Sequence, residues 1–538
     1  DKMPFLENRD IHFAVQLANC EDFALVDIPS DEIPRFVVLP SDDDMHHITF
    51  LDDILRFNMK ALLDREIEAA YAIKFSRDAE MYIDDEFEGD LLEKIKIGLK
   101  ERNVGLPTRF LYDSNMPVDF LKKLKDLFNL SKNDLIPGAR YHNFNDFFAF
   151  PDPSNDPSLH NPDLPPLPHP VLEKVDSLLN AIREKDFMLH FPYQKYDYVP
   201  KLIWEAAKDP DVREIKITLY RVASKSAVVE ALLEALKNGK EVTTFIEAKA
   251  RFDEASNLYW GEKLQEAGAN VFYSYPAIKV HTKLLFINRM EDGELKNYAY
   301  LGTGNFNENT ARIYCDHALL TADRQMAGDV AQVFDLLEKK IIIPKPKKLF
   351  VSPFTTRSSF EALIQNEIQN ARAGKPAYMI LKMNSLEDAG MINKLYEASQ
   401  AGVKIQLIVR GICCLIPGVE GLSENITAVS IVDRFLEHAR VYIFANGGKE
   451  MMYTASADWM TRNLDHRVEV VMPINDPGIF KELRAIIDIQ LKDNVKARII
   501  NATQSNPYRK GNSAEKVRAQ IATYQFLKSK LEVNSPAG

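Results

Sequence analysis

Cysteine is scarce in this 538-residue chain. The four present (Cys20, Cys315, Cys413 and Cys414) include no CxxC spacing. That excludes a disulfide framework, gives no zinc signature and fits a reducing compartment. Long apolar runs are also missing. No stretch approaches the ~20 residues of a membrane-spanning helix, and the start has no charged-then-apolar leader. The expected location is therefore the cytoplasm, with peripheral attachment at the inner membrane face as a variant of it. Acidity is missing from the later part of the chain. Of a net charge of −11, residues 1–170 hold 18 Lys and Arg against 33 Asp and Glu, and the rest hold 49 against 45. The later part is thus free to bind an anion without opposing it by its own field.

What is present is an ordinary globular composition, 46% hydrophobic and 27% charged, in a chain long enough for about three domains. The first segment reads as mixed α and β. Alternation at residues 11–15, 23–26 and 34–38 predicts strands, and the spacing over 51–63 and 91–99 predicts helices. Met116-Pro117 opens another helix running to Leu130. Residues 151–170 carry eight prolines and cannot form a regular element. A boundary falls at the end of that strap, giving an α+β head over 1–170.

Beyond it, a strand–helix–strand pattern occurs twice. Residues 215–221 form a strand ending on Arg221. A helix over 228–236 follows, closed by Gly239, and then a strand over 242–247. The second copy has a strand over 378–384, a helix through Ala398 closed by Gly402, and a strand over 403–410. The matching intervals point to duplicated α/β domains, expected over 171–347 and 348–538. Polar residues at the strand ends place ligands at the carboxyl edges of the sheets.

Each copy then presents a short apolar strand opened by a histidine with a cation two places on. These are His281-Thr282-Lys283 and His438-Ala439-Arg440. At the strand period of two, both side chains address one spot. A neutral imidazole is a nucleophile, and the cation attracts the anion it attacks. Small polar loops follow, Gly302-Thr303-Gly304-Asn305-Phe306-Asn307 and Ser456-Ala457-Asp458-Trp459-Met460. Glycine lets backbone N–H groups approach phosphate, and Asn305 adds a donor.

The doubled histidine motif resembles the phospholipase D superfamily, which carries His-x-Lys-x4-Asp twice. Here Asn288 and Ala445 replace the aspartates, and Arg440 replaces the second lysine. Those changes speak against the alternative function, a phospholipase-D-like phosphodiesterase or nuclease. A non-catalytic polyanion scaffold is a third reading. The longer runs, 220–223, 250–254, 302–312, 430–434 and 456–463, resemble polyphosphate kinase of the first type in the same order. That resemblance implies an ATP:polyphosphate phosphotransferase, reversible, acting through a phosphohistidine at His281. It implies His438 as the catalytic partner and a nucleotide contact, with Tyr314 and Arg410 also at the nucleotide. Arg221 and Arg251 stand at positions associated with Mg²⁺. A guanidinium cannot ligate a cation, so these arginines are expected to hold the phosphate that the metal bridges. Lys283 and Arg467 are expected as further phosphate contacts. The implied partners are ATP, ADP and polyphosphate, with no nucleic acid, in a homo-oligomer (dimer or tetramer). The family's helical N-terminal domain has no counterpart in these 538 residues; were the protein to lack it, nucleotide binding would be expected to weaken.

Overall fold

The computed structural model describes residues 6, 10–30, 32–41, 45–77, 107–247, 254–273, 279–510 and 515–533. The helix expected over 91–99 lies outside them, as does Arg251. The chain divides into two compact units, Asp1–Asp163 and Leu164–Gly538.

In the first unit the three expected strands form, as β1 (Ile11–Leu17), β2 (Phe23–Asp27) and β3 (Phe36–Leu39). With them stand β4 (His47–Phe50), β5 (Ile67–Arg77), β6 (Pro107–Asp113) and β7 (Leu135–Gly138). The main sheet runs β2-β1-β5-β6-β7, and β3 and β4 form a separate pair. The helical stretch from residue 51 is interrupted at Asn58, giving Leu51–Phe57 and Met59–Leu63. The later helix is Val118–Leu127, with Pro117 as its N-cap. Its apolar stripe places Phe120 and Leu124 on Phe75, Phe110 and Phe128. Arg35 is buried and forks onto both oxygens of Asp52 at 2.6 and 2.8 Å. Tyr141 stacks on Phe50, and its hydroxyl donates to Asp53 at 2.7 Å, so the 141–144 stretch is packed structure.

The second unit starts with β8 (Phe187–Phe191), β9 (Val212–Leu219), β10 (Glu241–Ile246), β11 (Asn270–Tyr273), β12 (Lys279–Val280), β13 (Lys283–Glu291), β14 (Glu294–Gly302) and β15 (Tyr314–Thr321). It continues with β16 (Phe350–Ser352), β17 (Tyr378–Met383), β18 (Lys404–Val409), β19 (Ile426–Ile431), β20 (Leu436–Glu437), β21 (Arg440–Phe444), β22 (Met451–Ala455), β23 (Arg467–Pro473) and β24 (Ala497–Ile499). Two sheets result. One runs β11-β10-β9-β13-β14-β15-β20, with β8 also on β15. The other runs β12-β23-β22-β21-β17-β18-β19-β24, with β16 also on β23.

The repeat read from the sequence is visible here. β9 and β10 are parallel across the helix Ala227–Lys237, as β17 and β18 are across the helix Ala389–Gln400. Gly239 and Gly402 follow those helices at φ +74° and +92°, a left-handed turn that a Cβ disfavours. Ser226 and Asp388 cap the two helices at their N-termini. The strands are buried Val, Ile and Leu because helices or the other sheet cover both faces. One shared core joins the sheets: Leu284, Phe286 and Leu301 from the first pack with Ile380, Val441 and Val470 from the second. The α/β class with an α+β head is the architecture expected.

One feature was not expected. β12 belongs to the second sheet, pairing parallel with β23, while β20 belongs to the first, pairing parallel with β15. Each copy lends the other the two residues that precede its histidine.

Candidate active site

His281 and His438 were expected to open strands. Each instead bridges two strands, β12 to β13 and β20 to β21, just as the chain passes from one sheet to the other. The crossing is held the same way twice. The N–H groups of His281 and Thr282 both donate to the carbonyl of Val468, at 3.0 and 3.1 Å. Those of His438 and Ala439 both donate to the carbonyl of Cys315, at 3.2 and 2.8 Å. Each peptide pair is thus fixed from the opposite sheet.

The side chains are exchanged as well. Nδ1 of His281 lies 2.9 and 3.0 Å from the two oxygens of Glu469 on β23. Nδ1 of His438 lies 2.8 and 3.0 Å from those of Asp316 on β15. A carboxylate at Nδ1 places the ring proton there and leaves the Nε2 lone pair for chemistry. The two Nε2 atoms differ in surroundings. Nη1 of Arg440 stands 3.4 Å from Nε2 of His438. Nε2 of His281 has no hydrogen bond among the described residues, and its imidazole is 13% exposed.

Burial pushes His281 well below the usual imidazole range, helped by the charges of Lys283, Arg467, Arg440 and His438. Burial also lowers His438, against the pull of Asp316. Both rings are therefore neutral at neutral pH. The carboxylates diverge. Burial lifts Glu469 to about 7, although Lys283 and Arg467 resist it. Burial would lift Asp316 too, but His438, the Thr303 hydroxyl and Arg440 outweigh that and hold it at about 2. Lys283 is pressed down to about 7 by burial, with Arg440 and Arg467 adding to it and Glu469 opposing.

Around these pairs stand the other candidates. Lys283 is 1% exposed, and its Nζ donates to the carbonyl of His281. The Tyr220 ring meets His281 edge-on at 4.9 Å, with Lys283 5.1 Å from the ring centre and Arg221 5.8 Å. Tyr314 lies against His438 at 5.1 Å. Arg440 forks onto Asp458 at 3.1 and 2.9 Å. Arg410 donates from Nε to Asn384 at 3.1 Å and to the carbonyl of Glu437 at 2.8 Å. Arg467 adjoins β12 at the crossing, and among the described residues its guanidinium is in no ion pair. So His281, His438, Lys283, Arg467, Tyr314, Arg410 and Arg221 gather around the two crossings, and Arg251 is outside the described residues.

The polar loops support the carboxylates. A Cβ on Gly304 would fall 2.4 Å from Oδ2 of Asp316, and one on Gly302 would fall 2.7 Å from the Tyr300 ring. Their glycines leave room for those side chains. Thr303 donates to Asp316 at 2.5 Å, and Asn305 carries a buried Oδ1 with no hydrogen-bond partner. In the second loop Asp458 holds Arg440, while Glu469 accepts from Asn463 at 3.1 Å. Sequence reasoning missed Asp316, Glu469 and the Tyr220 ring. A signal was there: each carboxylate is a lone acid in an apolar strand, two places after Tyr314 and Arg467. Among the described residues no group of three His, Cys, Asp or Glu side chains could hold a metal ion, and no helix is long and apolar enough to cross a membrane.

A doubled α/β unit with two carboxylate-backed histidines, ringed by cations, defines an enzyme that handles anionic groups. Family models described as polyphosphate kinase middle domain, C-terminal domain 1 and C-terminal domain 2 match residues 1–150, 177–342 and 349–520. The polyphosphate kinase of Vibrio parahaemolyticus is 44% identical over 98% of this chain and 77% of its own length. That of Escherichia coli K12 is 43% identical over 98% and 78%. The crystal structure of polyphosphate kinase from Porphyromonas gingivalis superposes with a TM-score of 0.84 at 39% identity, covering 99% of this chain and 80% of that one. The chain belongs to the polyphosphate kinase family.

Proposed function

We propose that this polyphosphate kinase moves the γ-phosphoryl group of ATP to polyphosphate, reversibly, by way of His281. Nε2 of His281 attacks the γ-phosphorus in line. The N–P bond forms, the bond from phosphorus to the bridging oxygen breaks, and ADP leaves with that electron pair. The ring gains positive charge as it reacts, and the Nδ1–H···Glu469 bond steadies it. A terminal oxygen of polyphosphate then attacks the phosphorus, breaks the N–P bond and restores the imidazole. The observation that carries this reading is the open Nε2 of His281 opposite its carboxylate-bound Nδ1.

The cations give the rest its logic. Lys283, Arg467 and Arg440 surround the same ring and oppose charge on the equatorial oxygens. His438, with Tyr314 and Arg410, grips the nucleotide; it would act as a proton donor only after its Nε2 has itself taken up a proton. Asn305 adds a polar contact to the phosphates. Mg²⁺, when bound, neutralises phosphate charge. The donor chemistry of Arg221 and Arg251 suits the phosphates that carry the ion rather than the ion itself. We read residues 1–170, 171–347 and 348–538 as head and two catalytic domains, acting in a cytoplasmic homo-oligomer (dimer or tetramer).

Incubation with γ-labelled ATP and Mg²⁺, followed by acid and base treatment of the protein, tests the reading. Label that is acid-labile, base-stable and absent from His281→Ala is the expected result. Equal label on wild type and His281→Ala would sink it.

A further inference from the structure

The segment that delivers His438 has a second edge, and one side chain occupies it. On one side β20 pairs with β15 through Leu436 and Glu437. On the other side Gln520, 1% exposed, lies alongside the chain as a neighbouring strand would. Its Oε1 accepts from the N–H of Phe435 at 2.9 Å, and its Nε2 donates to the carbonyl of Phe435 at 2.9 Å. The same Nε2 donates to Oε1 of Glu437 at 2.8 Å. One amide thus satisfies both backbone groups of one residue and the carboxylate two places on, next to His438.

Glu437 is itself buried, 3% exposed. Its Oε2 lies 3.1 Å from Nζ of Lys382 and accepts from Gln490 at 3.1 Å. Lys382 also donates to the carbonyl of Ala439, at 3.0 Å, so the network grips the chain on both sides of His438. Gln520 is in turn anchored. It is the second residue of the helix Ala519–Val533, whose first N–H is accepted by Asp493 at 2.6 Å. Two residues earlier, Arg518 forks onto Asp433 at 2.8 and 2.6 Å. Arg518, just before the C-terminal helix, and Gln520 within it thus engage residues 433, 435 and 437 between them.

From this geometry we propose that Gln520 is a positioning residue for His438. It holds the register of the 435–437 segment, and so the place where the imidazole meets Asp316. The inference rests on the reading of His438 as part of the reaction. A buried backbone N–H and C=O left without partners would find them by moving the segment, which carries His438 off the Asp316 oxygens.

The experiment is a double-mutant cycle on the full chain. Steady-state rates of chain extension are measured for wild type, Gln520→Ala, His438→Gln and the double variant, each checked for folding by thermal melting. Gln520→Ala is expected to lower kcat about tenfold, and to lower it no further on the His438→Gln background. Gln520→Glu, which sets a carboxylate against Glu437, is expected to be slower still. The exchange Glu437→Gln/Gln520→Glu restores a donor and an acceptor to that contact but leaves the Phe435 carbonyl facing a carboxylate, so it is expected to recover only part of the loss. An equal loss in both backgrounds would assign Gln520 to stability alone and overturn the inference. So would a wild-type kcat in folded Gln520→Ala beside a slow His438→Gln. A wild-type rate in His438→Gln would bring down the reading of His438 and this inference with it.

Discussion

Arg440 stands guard over His438. Its Nη1 is 3.4 Å from Nε2 of that ring, while the rest of its guanidinium forks onto Asp458. The two histidines share a backbone crossing and a carboxylate at Nδ1, yet only His281 presents an unengaged Nε2 among the described residues. Removing His281 should therefore abolish covalent label rather than move it to His438. Peptide mapping of labelled His281→Ala checks this, and label on His438 would refute the distinction.

The carboxylates behind the two rings should separate in the same way. Glu469→Gln keeps the shape but no longer fixes the proton on Nδ1 of His281, so labelling should slow by roughly 10²–10⁴-fold. Asp316→Asn should leave His281 able to take label while slowing overall turnover. Rapid-quench labelling beside steady-state assays separates these outcomes.

Lys283 gives the pH dependence. Its ammonium is held at about 7, far below the usual lysine value, chiefly by burial. It is charged below that pH and loses its charge as pH rises through it. Binding of a phosphate polyanion to the free enzyme should weaken over that window, where Glu469 also ionises, and Lys283→Arg should remove the lysine's share and leave a shallower decline. Titration calorimetry with short-chain polyphosphate from pH 6 to 9 reads this directly.

Two glycine substitutions contrast conformation with space. Gly239→Ala meets nothing within 4 Å but sits at φ +74°, so it should cost about 1 kcal/mol and leave turnover intact. Gly304→Ala drives a Cβ to 2.4 Å from Asp316, whose carboxyl is already tied to Thr303 and His438. It should cost about 1–3 kcal/mol and reduce turnover as well. Denaturant melts and steady-state rates on both variants decide it.

Glu482 links stability to acid. Burial would raise its pKa, but His190 at 2.8 Å and Lys530 hold it at about 2. Its contribution is whole above the unfolded carboxyl value of about 4.3 and disappears as pH falls toward 2. Glu482→Gln should melt lower than wild type at pH 7, and the gap should close in acid.

The duplicated strand–helix–strand units and their closing glycines could be read in the chain because each is set by local periodicity and a φ requirement. The strand exchange could not. β12 and β20 are two residues long, and nothing local says which sheet accepts them. The histidines were legible through their repeated context. Their carboxylates were hidden because a lone acid in an apolar strand looks the same whether it meets a ring 188 residues away or a nearby lysine. The glycines of the 302–307 loop were read as openings for phosphate, yet the space they leave is filled by Tyr300 and Asp316. Sequence spacing cannot separate room for a ligand from room for a neighbour.

The exchange of β12 and β20 also sets when the enzyme becomes reactive during its own synthesis. His281 emerges before the strand that pairs with its leading residues and the acid that orders its ring, which come with Arg467–Pro473. Until that stretch has left the ribosome, a nascent chain carries the histidine without its partner. The Nε2 proposed to react gains its full setting only once Arg467–Pro473 has been made and both sheets are available to hold the ring.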